Sequence, residues 1–226
     1  QDPTVPPAGD DDVTSLQGNI EADTIILDTS KAISIGETAT LTATDKIELI
    51  SGTDVYINGG IAASNDASDD TIDEFIVRAR GAENVDISID RNNDGDTADT
   101  DEQIQQASTG DINLRAMVMP VDHFELRAAQ DIFVELQADF PLTGFIGGLQ
   151  GFDKADNVAI KLRDDQGHPA HTLTLESGIV AAEQALTLLA NEVDTCNSSV
   201  FIAKDLKVQT SAAMTLTTRV DAMIAH

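Results

Sequence analysis

The residues best spaced to do chemistry stand between Asp90 and Asp101, in the run Asp-Arg-Asn-Asn-Asp-Gly-Asp-Thr-Ala-Asp-Thr-Asp. Oxygen-bearing side chains fall at its first, third, fifth and twelfth positions (Asp90, Asn92, Asp94 and Asp101), with Gly95 at the sixth. Calcium takes about six to eight hard oxygen ligands, and this spacing wraps one ion while glycine permits the sharp turn. Asp96 and Glu102 add further carboxylates. A bound ion would offset local repulsion and staple a loop otherwise too acidic to order. The second candidate is His168-Pro-Ala-His171, two imidazoles close enough to share a transition metal such as zinc, iron or nickel. Only two ligands are evident there, and a pair of metal-free loop histidines is the simpler reading. A threefold assembly would nevertheless bring six such nitrogens to one axis. His123 and His226 show no partner pattern.

The acidic loop resembles the calcium loop of EF-hand and dockerin proteins. It departs from them at the twelfth residue, Asp rather than a bidentate Glu, and in its flanks, DISID and EQIQQ, which look like strands instead of helices. The expectation is a calcium-stapled hairpin tip. No catalytic constellation is evident. There is no serine in a glycine-flanked elbow, and GFIGGLQG lacks the spacing and context of a dinucleotide or phosphate loop. A single cysteine, Cys196, excludes an intrachain disulfide and a multi-cysteine metal site, and reads as a small buried apolar residue.

These candidates sit among short strands of period two, such as TIILD, AISIG, ATLTA, KIELI and DVYIN. Ile25, Ile33, Leu41, Leu49 and Ile57 recur every eight residues, with Leu27, Ile35 and Ala43 as a companion column. The step returns at Phe124 and Ile132, at Leu126 and Val134, and at Val200, Val208, Leu216 and Ile224. An apolar period this short predicts stacked strands, each unable to bury its own face alone. The fold expected is therefore all-β, an elongated β-helix or β-solenoid of octad repeats, intertwined as a trimer and interrupted by hairpin modules.

Along the chain this gives an extended acidic, Pro-rich arm (1–15), an octad block (16–60), a hairpin module with the calcium-type loop (61–110), a second octad block (111–140), a Gly-rich loop and hairpin around Asp164 to Gly167 (141–178), and a C-terminal octad block (179–226). Helical periodicity in VAAEQALTLLANEV, through Ala182, Leu186, Leu189 and Val193, leaves a helix there as an alternative.

The 226 residues include no Trp, one Tyr and seven Phe, few for a compact core, and 40 acidic against 13 basic residues give a formal net charge of -27. Phosphate backbones and anionic lipids repel such a surface, which argues against nucleic acid and peripheral membrane binding. No apolar run is long enough to span a bilayer. A start at Gln1 suits either a processed secreted protein or a fragment of a longer one.

The octad strands IELIS, FELRA, IFVELQA, LKVQTS and MTLTT resemble the triple-stranded β-helix of contractile-tail spikes, the family of phage central spikes and the valine-glycine repeat proteins of type VI secretion. That resemblance implies three chains wound about one axis into a rigid, acidic, non-enzymatic needle in a virion or injection device. The rival expectation is a secreted, calcium-stabilised fibre subunit that polymerises by adding its N-terminal arm to a neighbour's sheet. A third class is a receptor- or glycan-binding module in the interrupting hairpins, which carries no aromatic or basic signature.

Overall fold

The computed structural model describes residues 13–64, 71–81, 85–88, 103–106, 110–115, 121–151, 153–196, 198–212 and 214–225, and every element in them is a strand. The chain winds in coils that lay one strand on each of three sides. The first coil is β1 (Val13–Leu16), β2 (Ile20–Glu21) and β3 (Thr24–Thr29); the second is β4 (Ala32–Ile35), β5 (Thr40–Ala43) and β6 (Lys46–Ser51). The third is β7 (Val55–Ile57), β8 (Gly60–Ala63) and β9 (Ile72–Ala79). An antiparallel pair, β10 (Val85–Ser88) and β11 (Gln103–Gln106), then leaves the winding. It resumes with β12 (Ile112–Leu114), β13 (Val121–Ala128), β14 (Ile132–Leu136), β15 (Phe140–Gly147), β16 (Ala155–Leu162), β17 (Thr172–Ala190), β18 (Glu192–Thr195), β19 (Val200–Thr210) and β20 (Thr218–Ala225).

Each strand pairs in parallel with the strand one coil on. Side one stacks Ile33 on Val55, side two Leu41 on Ile61, and side three Ile47 on Phe75. Hydrogen bonds between coils accordingly join residues 20 apart, as from Ser51 to Lys31, or 22 apart, as from Thr217 to Thr195. β17 runs through all three sides in turn: Leu173 pairs with Phe140 on side two, Ile179 with Phe145 on side three and Leu186 with Val158 on side one. The helix alternative for this stretch gives way because Leu186, Leu188 and Ala190 alternate inward while ladder bonds are available from β16 and β19. Tertiary pairing here outweighs a helical period made of the same residues.

The octad has a simple geometric origin. Ile25, Ile33, Leu41, Leu49 and Ile57 are all buried, with at most 4% exposure, yet they do not stack on one another. They fall on sides three, one, two, three and one, so eight residues carry an inward side chain from one side to the next. Stacking partners lie a full coil away, Ile25 on Ile47 and Leu27 on Leu49. One chain thus supplies all three sides, and the interior expected to be shared by three winding chains is closed by a single one. Phe124, Ile132 and Val208 are buried as expected, and Leu216 packs part-buried against the core. Val200 is a correction. It pairs with outward Ile179 and is only part-buried, while Phe201 beside it is fully buried in its place. Ile224 on β20 pairs with Lys207 on β19.

Other boundaries also differ from expectation. Val13 to Ser15, assigned to the arm, already form β1 of the first coil. The turn at Asp164 to Gly167 exists, with the Gly167 N–H donating to the Asp164 carbonyl at 3.0 Å, but its flanks make one antiparallel bridge, Arg163 with Pro169, rather than a hairpin. β16 belongs to side one and the start of β17 to side two, because each finds a better parallel partner in the coils on either side.

The sparse aromatics are concentrated. Phe75, Phe124 and Phe140 come from three consecutive passes, with ring centroids 5.4 and 5.0 Å apart. At the corner between sides two and three, Gly144 has φ 137°, and a Cβ there would strike the Phe124 carbonyl. That corner therefore requires glycine. Removing the central ring should leave a cavity the rigid coils cannot close. Phe124→Ala is expected to cost about 3–5 kcal/mol in urea unfolding, whereas Val200→Ala should cost about 1 kcal/mol or less. Equal costs would overturn the inward and outward assignments.

Candidate functional site on the outward rows

In-register parallel strands line up outward side chains in rows along the stacking direction, a rung apart. One row runs up the corner entering side one. Asp54, Asp111 and Asp131 each precede a strand, and the Oδ1 of each accepts a backbone N–H from the next coil: Asp54 from Asp111 at 3.0 Å, Asp111 from Asp131 at 3.0 Å, and Asp131 from Asn157 at 3.1 Å. The Asn157 amide donates again to Asp131 Oδ1 at 2.9 Å, and the Tyr56 hydroxyl donates to Asp54 Oδ2 at 3.1 Å. Burial, followed by the charges of Asp54, Asp131 and Asp156, pushes the Asp111 carboxyl up to about 6, against the opposing bond from Asp131 N–H. Burial and Asp54 likewise push the Tyr56 phenol up.

Side three carries a chain of ion pairs. Lys46 Nζ lies 3.0 Å from Glu48 and 3.3 Å from Glu74; Arg78 reaches Glu48 at 3.2 Å and Glu125 at 3.1 Å; Arg127 Nε meets Glu125 at 2.8 Å. Glu48 and Glu125 expose 13% and 14% of their side chains, so these contacts are better shielded than ordinary surface pairs. Burial alone would raise Glu125, but hydrogen bonds from Arg127 and Arg78 outweigh it and hold the carboxyl below its usual range. Arg127 also lies 4.3 Å over the Phe145 ring and donates to the carbonyls of Gly148 and Gly151.

Side one carries a different cluster. Phe133 on β14 points outward, in register with Asn113 on one neighbouring strand and Ala159 on the other. The Arg115 guanidinium lies 5.0 Å and the Lys161 ammonium 4.8 Å from its ring centroid, one from each adjoining coil. Arg163 lies beyond and pairs with Glu135 at 3.2 Å. Burial first, then Arg163 and Arg115, lower the Lys161 ammonium against the pull of Glu135. The Nε atoms of Arg115 and Arg163 are buried with no acceptor. These residues lie as many as 48 positions apart (163 − 115), so no local motif announces them. The only signal in the sequence is the coil spacing of 20 to 28 residues, and it becomes readable once the register is known.

The calcium-type residues Asp90, Asn92, Asp94, Asp96, Asp101 and Glu102 lie outside the described residues; the strands that bracket them, β10 and β11, pair Ser88 with Gln103. His168 and His171 turn to different carboxylates. His168 Nδ1 is 3.4 Å from Asp164 and exposes 75% of its side chain, while His171 Nδ1 is 3.8 Å from Asp139. Among the described residues no group of three or more His, Cys, Asp or Glu is placed to hold a metal ion. Cys196 is exposed, contrary to the buried reading, because it occupies the turn after β18 rather than an inward position. Among the described residues no helix is long and apolar enough to cross a membrane.

Three sides of parallel strands, laid down coil by coil, define the class of fold as all-β and β-helix-like. Compared with known proteins, the chain matches no family, no curated relative and no solved structure.

The aspartate row sets a pH dependence. Because the Asp111 carboxyl sits above its unfolded value, the folded state holds the extra proton between about pH 4 and pH 6; its contribution is greatest below that window and is lost as pH rises through it. Asp111→Asn keeps an acceptor and removes the charge; the row already holds one uncharged member, Asn157, which donates to Asp131. The variant should gain on the order of 1 kcal/mol over the parent at pH 7, after discounting for solvent screening, and nothing at about pH 4. Paired thermal melts at the two pH values check it, and equal gains at both would refute the charge origin.

Proposed function

We propose that this chain is a non-enzymatic structural protein, a rigid β-helical shaft that works as a homo-oligomer, outside the cell or in a particle such as a contractile injection tail. The observation that carries this reading is the single apolar cluster, which runs unbroken from Ile25 to Val208 through coil after coil. A stack of this kind lengthens without needing a larger core, and backbone ladders on three sides resist bending. Acidic residues outnumber basic ones 40 to 13, which suits a solvated shaft.

A second reading, a fibre subunit extended by strand addition, is favoured by the first coil. β1, β2 and β3 each have a strand partner on one flank only among the described residues, Leu16, Ile20 and Leu27 are only part-buried, and Ile26 is 57% exposed. Such an edge can accept a strand from a neighbouring copy. In that reading residues 1–12 serve as the added strand, and calcium at Asp90 to Glu102 stiffens the hairpin tip.

Light scattering on a sizing column, with calcium present, separates the readings. A discrete oligomer such as a trimer is expected for the shaft. Large assemblies that disappear when residues 1–12 are deleted are expected for the fibre. A monomer at every concentration would refute both. Chelation should lower the melting temperature by several degrees if the acidic loop holds calcium, since an ion bound only by the native state stabilises it by mass action. An unchanged melt would remove calcium from the proposal.

A further inference from the structure

Two sides of the same molecule treat their cations differently. On side three, Lys46, Arg78 and Arg127 alternate with Glu48, Glu74 and Glu125, three positive charges to three negative. On side one, Arg115, Lys161 and Arg163 share one carboxylate, Glu135, and among the described residues Arg115 and Lys161 have no ion pair. With 40 acidic residues available, pairing was within reach. Instead the cations lie against an aromatic ring on the sheet surface, with two guanidinium Nε atoms unsatisfied. Three cations against one carboxylate leave a net positive patch, and further anionic groups would offset the remaining repulsion.

We propose that Arg115 and Lys161 over Phe133, together with Arg163 beyond them, bind the carboxylate or sulfate groups of a linear acidic glycan lying along side one. The cluster spans β12, β14 and β16, roughly 10 Å at the usual strand spacing, which matches a ligand bearing spaced anionic groups rather than one small ion. Further along the same row come part-exposed Thr187 and exposed Lys207, in register with Ala159 and then with each other. They continue the track with a hydroxyl and a fourth cation, groups suited to sugar hydroxyls and acidic substituents. Nucleic acid fits less well, because the cations already cover the Phe133 ring on which a base would stack. The site lies within one chain and does not depend on the oligomeric reading.

The test is calorimetric titration of the full chain, at low salt, with oligogalacturonate, with sulfated dextran and with neutral dextran. Saturable binding to one or both acidic polymers, weakened by added salt and absent with neutral dextran, is expected; the two acidic arms separate carboxylate from sulfate recognition. The double variant R115Q/K161Q should bind at least about tenfold more weakly, as loss of charge-assisted hydrogen bonds implies, while K204Q, which removes an exposed cation elsewhere, should bind as the parent does. Should the double variant fail to fold, protection of Lys161 from an amine-modifying reagent by the polymer, read by mass spectrometry on the parent chain, gives the same answer. No binding by either acidic polymer, binding indifferent to the double substitution, or an unprotected Lys161 overturns the proposal. So does a change in self-association as the sole effect of the double substitution, which would assign the cluster to a second copy of the chain.

Discussion

A coil of some twenty residues cannot bury its own inward side chains; only the coils on either side of it can. That constraint organises the molecule. It forces Ile33 onto Val55, Leu41 onto Ile61 and Ile47 onto Phe75, and it fixes the register of every outward residue at the same time. A slip by one residue would turn each apolar column outward, so the register is held wherever the interior is filled. Variation is confined to the corners and excursions, where the antiparallel pair β10 and β11 leaves the winding and the register shifts within β17.

The same in-register stacking governs the electrostatics. Rows a single rung apart bring like residues together, which for a chain of net charge -27 would be repulsive along its whole length. Three solutions appear. The aspartates at the corner accept backbone N–H groups from the next coil, which compensates their proximity except at Asp111, where burial among neighbouring carboxylates favours the proton. Side three links each cation to carboxylates within its strand or diagonally across to the next, through Lys46, Glu48, Arg78, Glu125 and Arg127. Side one keeps a surplus of positive charge over an aromatic ring, the departure from internal compensation on which the proposed recognition surface rests.

The proposed shaft and the proposed recognition surface are compatible, because they use different sides of the same strands. The inward residues of β12, β14 and β16 belong to the continuous core, while Phe133 and the cations near it project the other way. A parallel β-helix offers this division at every coil. Changes in the outward rows leave the interior ladder in place, so binding chemistry can be written onto a shaft without altering what holds it together.

Residue order alone was enough to read an all-β chain of stacked strands whose interior is filled by aliphatic columns. Period-two alternation and the octad are local patterns, carried by residues close enough to be read in order. It could not tell whether a step of eight joins neighbouring chains or neighbouring sides, since either places Ile25, Ile33 and Leu41 in an interior. Nor did it distinguish the helical from the extended reading of residues 180–193, or the inward from the outward phase at Val200 and Phe201. Only the tertiary structure decided these, through hydrogen-bond partners 20 or more residues away. The cluster of Arg115, Phe133, Lys161 and Arg163 was illegible for the same reason: its members become neighbours only when successive coils stack, and proximity across coils is set by register, not by spacing along the chain.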